Sequence, residues 1–309
     1  MEPAPSRALA ATLVCCIGFT APVRTDGDQF VDVDGRRMHV RTDGPDGDNG
    51  ARPLVVFESG LGARLDYWSA VFTRVARTTR VLAYDRAGIG RSESDETMPT
   101  PAHVARKLHA LLSQIGQKPP YILVGHSLGG PFIRMFAALY PSDVAGLVYV
   151  DPTDIRSEQD ELALFRTLGY SAGEVAKRRD AMRQEVLPDG PYGAEMKVAR
   201  DLASSYFADF RILPPAPDVP VSVLMAAKFE PAMWAGRPCQ PRTCHDAWVR
   251  FRAAALKPLI HGESDDALTL TTGSGHGIPL EDPQLVAWAV RQVLTSVQRR
   301  VTWSHDGPK

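Results

Sequence analysis

The chain lacks an excess of either charge. Its 309 residues hold 35 Lys and Arg against 36 Asp and Glu, a formal net charge of −1, with both signs spread along the length. That removes the electrostatic case for a polyanionic partner, whether nucleic acid or an acidic lipid surface. Long apolar runs are missing too. The stretch Ala8 to Phe19, behind Arg7, has the length of a signal-peptide core and is too short to cross a bilayer, so no integral span is expected. Cleavage signals near it are poor: Phe19-Thr-Ala21 is not a small-x-small site, Pro22 follows, and Leu13-Val-Cys-Cys16 approximates a lipoprotein acylation box only loosely. Secretion, membrane association and a cytoplasmic protein with a weakly anchored N-terminal extension all stay open. Cysteine is scarce, at 4 residues. Cys239 and Cys244 share the Pro-rich loop Arg237 to Cys244 and can bridge in an oxidising compartment, whereas a zinc site lacks ligands, since only His245 is near. No repeat of twenty to fifty residues occurs, and the one low-complexity patch, Asp43 to Gly50, reads as a surface loop.

What is present is a strand running into a tight turn. Tyr121-Ile-Leu-Val124 leads into Gly125-His-Ser-Leu-Gly129, followed by a helix-forming stretch to Tyr140. A serine at such a strand-to-helix bend sits in a strained backbone conformation and tolerates only small residues two positions away on either side. A bare Gly-x-Ser-x-Gly arises by chance in about one chain in ten of this length, so the flanking strand and helix carry most of the signal. They make Ser127 the expected nucleophile.

Strand-like and helix-like runs alternate along the chain, which is 44% apolar and able to bury one large core. The strands read as Gln29 to Val33, Arg37 to Arg41, Leu54 to Glu58, Arg80 to Tyr84, Tyr121 to Gly125, Leu147 to Asp151, Val221 to Ala226 and Ala267 to Leu270. Helical periodicity marks Pro101 to Ile115, Pro131 to Tyr140 and Pro283 to Gln298. The pattern predicts an α/β fold with a mostly parallel eight-stranded sheet, helices on both faces, and an antiparallel hairpin at one edge. Ligands in such sheets bind beyond the carboxyl ends of the strands, where Ser127 lies. Residues 153–217 interrupt the alternation with three helical runs, Ser157 to Leu168, Ser171 to Val186 and Ala194 to Phe210, and are expected to form a lid over the nucleophile. Phe165, Met182, Met196, Tyr206 and Phe207 are candidates for lining its pocket, with plain packing between lid helices the blander alternative. The expected organisation is an N-terminal extension over 1–24, a core over 25–152 and 218–300, the lid at 153–217, and a tail at 301–309.

A serine hydroxyl needs a base to take its proton and a carboxylate to orient that base. His276 is the expected base, the one histidine in a Gly/Ser loop, Thr271 to Gly277, just after the last strand. His39 and His305 read as outside the core sheet, His103 and His109 as helical, His245 and His261 as surface residues, and His126 as a buttress of the turn. Asp151, at the end of the sixth strand, is the expected acid, and Glu230, after the seventh and just before Pro231, is the alternative. For the oxyanion, the backbone N–H of Leu128 is one expected donor, and that of Leu61 in Ser59-Gly-Leu-Gly62 the second. Asp85 to Ser92 reads as a structural turn, with Asp85 and Arg86 paired internally.

These motifs carry a resemblance. From about Asp32 to Val297 the chain resembles the α/β-hydrolase superfamily, through Glu58-Ser-Gly-Leu-Gly62, Tyr84-Asp-Arg-Ala-Gly-Ile-Gly-Arg-Ser92, Gly125-His-Ser-Leu-Gly-Gly130, Leu147-Val-Tyr-Val-Asp-Pro152 and Gly273-Ser-Gly-His276. It looks most like the lid-bearing, bacterial serine esterase-like branch, which also holds carbon–carbon bond hydrolases, perhydrolases and epoxide hydrolases. Many members carry His-Gly where this chain has Glu58-Ser59. Dehalogenases and epoxide hydrolases of this fold carry Asp where Ser127 stands, which disfavours both activities. The resemblance implies an esterase-like serine hydrolase acting on a small-molecule acyl substrate and requiring no cofactor. Amide, thioester, lactone and carbon–carbon cleavage stay open, as does oligomeric state, and a non-catalytic ligand-binding sensor on the same fold is the alternative.

Overall fold

A computed structural model of the chain describes residues 27–45, 52–260 and 265–305, with side chains described up to residue 300. The signal-like stretch, Cys15 and Cys16, most of the Asp43 to Gly50 loop and His261 lie outside these residues, as do the side chain of His305 and the end of the tail.

The eight expected strands form one sheet: β1 (Gly27–Val33), β2 (Arg36–Asp43), β3 (Leu54–Glu58), β4 (Val81–Tyr84), β5 (Tyr121–His126), β6 (Val144–Val150), β7 (Val221–Ala226) and β8 (Ala267–Thr271). Their spatial order is β1-β2-β4-β3-β5-β6-β7-β8, antiparallel where β2 meets β1 and β4, and parallel elsewhere. Strands β3, β5, β6 and β7 are almost wholly buried, which explains why they read as continuous apolar runs rather than alternating ones. Alternation survives in where each side chain packs, because successive residues point to opposite faces. Val55, Phe57, Ile122, Val124, Val148 and Val150 join one core cluster, and Val56, Tyr121, Leu123, Leu147 and Tyr149 join the other.

Ten helices surround the sheet among the described residues: α1 (Ser69–Val75), α2 (Pro101–Gln114), α3 (Gly129–Leu139), α4 (Glu158–Thr167), α5 (Ala172–Gln184), α6 (Gly190–Ser204), α7 (Ala208–Arg211), α8 (Pro241–Leu256), α9 (Ile278–Glu281) and α10 (Pro283–His305). α1 and α10 cover the first cluster, and α2 and α3 the second. Local chemistry starts several of them. Thr100 caps α2 with Pro101 in its first turn, and Ser157 with Asp160 and Ser171 with Glu174 form reciprocal capping boxes on α4 and α5.

Stretch 153–217 is helical, as α4 to α7. The run expected to continue through Phe210 is broken, because Tyr206 and Phe207 take left-handed backbone angles while Phe207 inserts into the core beside Val198 and Leu202. Burial of that aromatic ring outweighs continuity of the helix. Helices α1 and α8 have no counterpart in the sequence reading. α8 begins inside the stretch expected to be a Pro-rich loop, since a proline fits the first turn of a helix, and Cys244 in that first turn is disulfide-bonded to Cys239 with Cα atoms 5.7 Å apart. Two histidine expectations are corrected. His39 lies within the sheet on β2 and is buried against Asp85, and His245 is buried on α8 with Nε2 3.1 Å from the carbonyl of Ala227.

Candidate active site

The bend after β5 gives Ser127 a φ of 53°. Its neighbours have no room for side chains: a Cβ on Gly125 would fall 2.6 Å from the Gly129 carbonyl oxygen, and one on Gly129 would fall 2.5 Å from that of Glu58. Close approach, more than backbone freedom, is therefore what demands glycine on both sides of the bend. The Ser127 N–H is held by the Val150 carbonyl at 3.2 Å, tying the bend to the end of β6.

Three side chains far apart in sequence meet there. His276 Nε2 lies 3.0 Å from Ser127 Oγ, and His276 Nδ1 lies 2.6 Å from Asp151 Oδ2. Asp151 follows β6 with a φ of 42°, and this left-handed turn aims its carboxylate across the sheet end. Its other oxygen accepts the Ala226 N–H at 2.8 Å and an Arg252 Nη1–H at 2.7 Å. Burial alone pushes this carboxyl up, but the His276 hydrogen bond, the Arg252 charge and the Ala226 N–H outweigh it and leave its pKa below the ordinary value. Asp151 is therefore an anion at neutral pH. Glu230 makes no hydrogen bond to His276. It is 42% exposed and sits 3.5 Å from Lys228.

Arg252, on α8, has no local signature in the sequence. It also binds Asp154 at 2.9 Å and the Pro152 carbonyl at 2.7 Å, so it braces the whole turn that presents Asp151. Only the meeting of α8 with the end of β6, about a hundred residues apart in sequence, reveals it.

His126 is buried beside Ser127, and its Nε2–H donates to the His276 carbonyl at 2.9 Å, fixing the loop that carries the imidazole. Burial, then the nearby His276 ring, push its pKa down to about 4, against the opposing effect of that hydrogen bond. The linkage sign follows from a depressed histidine. Between the ordinary value of about 6.5 and 4 the unfolded chain binds the extra proton, so stability is complete above pH 6.5 and declines down to pH 4. We predict that His126 contributes about 3 kcal/mol to this decline. Urea denaturation of His126→Asn at pH 7 and pH 4.5 should show a loss smaller by about that amount than in the wild type. Equal losses would mean that the ring is not held neutral.

The loop after β3 lies opposite the bend. A Cβ on Gly60 would come within 3.2 Å of Ser127 Cβ, which brings this loop against the serine, and among the described residues neither the Leu61 nor the Leu128 N–H meets a hydrogen-bond acceptor. Asp85 and Arg86 are both buried, yet with separate partners. Asp85 pairs with His39, whereas Arg86 pairs with Glu58 at 2.7 Å and with Glu195 of α6 at 2.6 Å. Burial raises the pKa of Glu58 above the ordinary value despite Arg86, and Glu58 also accepts the Tyr84 hydroxyl proton.

A cavity of about 620 Å³ opens on the His276 and Asp151 side, with Met233, Trp234, Trp248, Arg252 and Glu230 in its wall. Its size suits a small molecule. Phe165, Met182, Met196, Tyr206 and Phe207 are absent from that wall: Phe165 packs on Tyr170, Phe207 on Phe210, and Tyr206 lies under Arg179. The His276 side chain is 60% exposed, so α4 to α7 leave the site open to solvent.

Fold, site geometry and sequence converge on one class. The pattern of the alpha/beta hydrolase family matches residues 55–290, and the chain belongs to that family. An AB hydrolase superfamily protein of Gibberella zeae is 30% identical over 129 residues, 40% of this chain and 40% of that protein. The chain spans no more than 40% of the length of the first curated relatives it matches. Among solved structures, the enol-lactonase of Burkholderia xenovorans LB400 superposes with a TM-score of 0.56 at 19% identity, over 86% of this chain and 100% of that one. A thermophilic esterase of Thermogutta terrifontis does so with a TM-score of 0.54 at 18% identity, over 88% and 99%. At these identities the likeness is one of fold.

Proposed function

We propose that this family member is a serine hydrolase that cleaves an ester or related acyl bond of a small molecule through an acyl-enzyme. The observation that carries the reading is the continuous chain from Ser127 Oγ through His276 to the buried Asp151, with hydrogen bonds of 3.0 and 2.6 Å. Ser127 attacks the carbonyl carbon while His276 Nε2 takes its proton. The Asp151 carboxylate holds Nδ1–H in place, which leaves Nε2 free to accept, and stabilises the imidazolium that forms. The tetrahedral oxyanion meets the N–H groups of Leu61 and Leu128, each worth roughly 100- to 1000-fold in rate for a donor of this kind. His276 then protonates the leaving group, and water, deprotonated by the same nitrogen, releases the acid. Every step draws on groups of this chain. The segment 153–217 is proposed as the lid, with its first residues, Thr153, Asp154 and Arg156, in the wall of the cavity.

Labelling of Ser127 by a fluorophosphonate, together with turnover of p-nitrophenyl esters graded by acyl length, tests the proposal. A hydrolase does both, with the best acyl length reporting pocket depth. A binding protein on this fold does neither, and that outcome would end the catalytic reading.

A further inference from the structure

Glu58 and Ser59 stand where β3 ends, and a buried guanidinium lies against both. All five N–H groups of Arg86 are used. Nε donates to Glu195 at 2.6 Å, Nη1 to Glu58 at 2.7 Å and to the Ser59 carbonyl at 2.6 Å, and Nη2 to the Gly60 carbonyl at 2.6 Å and to Glu195 at 2.9 Å. Glu195 reaches further, accepting the Gly62 N–H at 2.7 Å. Arg86 and Glu195 are 4% and 1% exposed, and the guanidinium also lies 5.3 Å from the Phe132 ring centre. The Gly60 carbonyl and the Leu61 N–H belong to one planar trans peptide, so the two point in opposite directions. Holding the carbonyl against Arg86 turns the N–H away from the guanidinium.

We propose that Arg86 and Glu195 are positioning residues that set the direction of the Leu61 oxyanion donor, and that α6 thereby couples the segment inserted after β6 to catalysis. This rests on the serine-hydrolase reading. A buried carboxylate–guanidinium cluster is by itself weak evidence of stabilisation. Here it grips the donor's own peptide through the Gly60 carbonyl, and the peptides on either side through the Ser59 carbonyl and the Gly62 N–H. Glu195 comes from a helix more than a hundred residues away, so docking of α6 adds a long-range hold on the donor's loop beside the local bond from the Ala63 N–H to the Gly60 carbonyl.

The test compares a p-nitrophenyl ester with its thiono analogue, in which the developing anion is a sulfur that hydrogen-bonds poorly to N–H donors and sits farther from carbon. Rates are taken per active site by fluorophosphonate titration, so any unfolded fraction drops out. In Glu195→Gln, kcat for the ester should fall roughly 10- to 100-fold with KM within about twofold, while the thionoester rate barely changes, collapsing the ester-to-thionoester ratio by the same factor. Should that variant fail to fold, Glu195→Asp, shorter by one methylene but still charged, is read in the same way. A ratio equal to that of an active wild type, whatever happens to the two rates together, would show a merely structural cluster and overturn the proposal. A wild type that neither labels nor turns over would instead overturn the hydrolase reading, and the positioning role with it.

Discussion

Ser127→Ala is expected to lower kcat/KM for a p-nitrophenyl ester by about 10⁵- to 10⁶-fold, the loss seen when a triad nucleophile is removed, because the remaining members cannot act without it. In barrier terms this is about 7 to 8 kcal/mol. Folding should be nearly untouched. The left-handed φ of 53° strains alanine no more than serine, and the Val150 carbonyl still holds the backbone N–H of residue 127. A melting temperature within about 2 °C of wild type is expected, since only one partly exposed hydroxyl is lost. Loss of fluorophosphonate labelling alongside loss of turnover completes the expectation. A variant keeping a tenth of wild-type activity would remove Ser127 as the nucleophile.

Asp151→Asn should lower kcat by about 10⁴-fold. The amide oxygen would stay with the Ala226 N–H and Arg252, leaving NH₂ facing His276 Nδ1. That amide donates, so the imidazole would have to place its proton on Nε2, the nitrogen that must accept from Ser127. Arg252 keeps Asp154 as a counter-charge, so the cost in stability should fall below the roughly 3 to 5 kcal/mol of an orphaned buried charge. The same residue shapes acid stability. Its lowered pKa means that its contribution is complete above the ordinary aspartate value of about 3.9 and is lost as pH falls through the lower folded value. Wild type and Asp151→Asn should therefore converge in stability below about pH 4. Glu230→Gln, exposed and paired with Lys228, should change kcat by less than about threefold, as an exposed charge does. Steady-state kinetics of the two variants decides between the carboxylates, and equal mild effects would leave neither as the acid.

Several features are legible in the sequence alone. The strands β3, β5, β6 and β7 came within about three residues of their observed ends, because buried parallel strands are apolar runs cut off by turn residues. Helices α4 and α5 were legible for a different reason: serines three residues ahead of an acid cap them locally. Helix α8 was hidden, because Pro, Cys, His and Arg in its first turns read as loop composition, and its burial depends on Phe229, Trp234, Leu164 and Leu168 packing against it. Although one of its glycines is demanded by the Glu58 carbonyl of the neighbouring strand, the bend at Ser127 is a five-residue pattern that could be read directly.

Contacts across the sheet could not. Periodicity and spacing determined the layered α/β core, the strand order in sequence, and which serine and which terminal histidine were available for chemistry, since those depend on neighbours in the chain. Folding decided which carboxylate touches His276, that Arg252 braces it, and that a glutamate from α6 reaches the loop after β3. Each of those depends on where separate elements come to rest against one another to within about an ångström, the margin of a hydrogen bond, and no pattern of nearby residues encodes that.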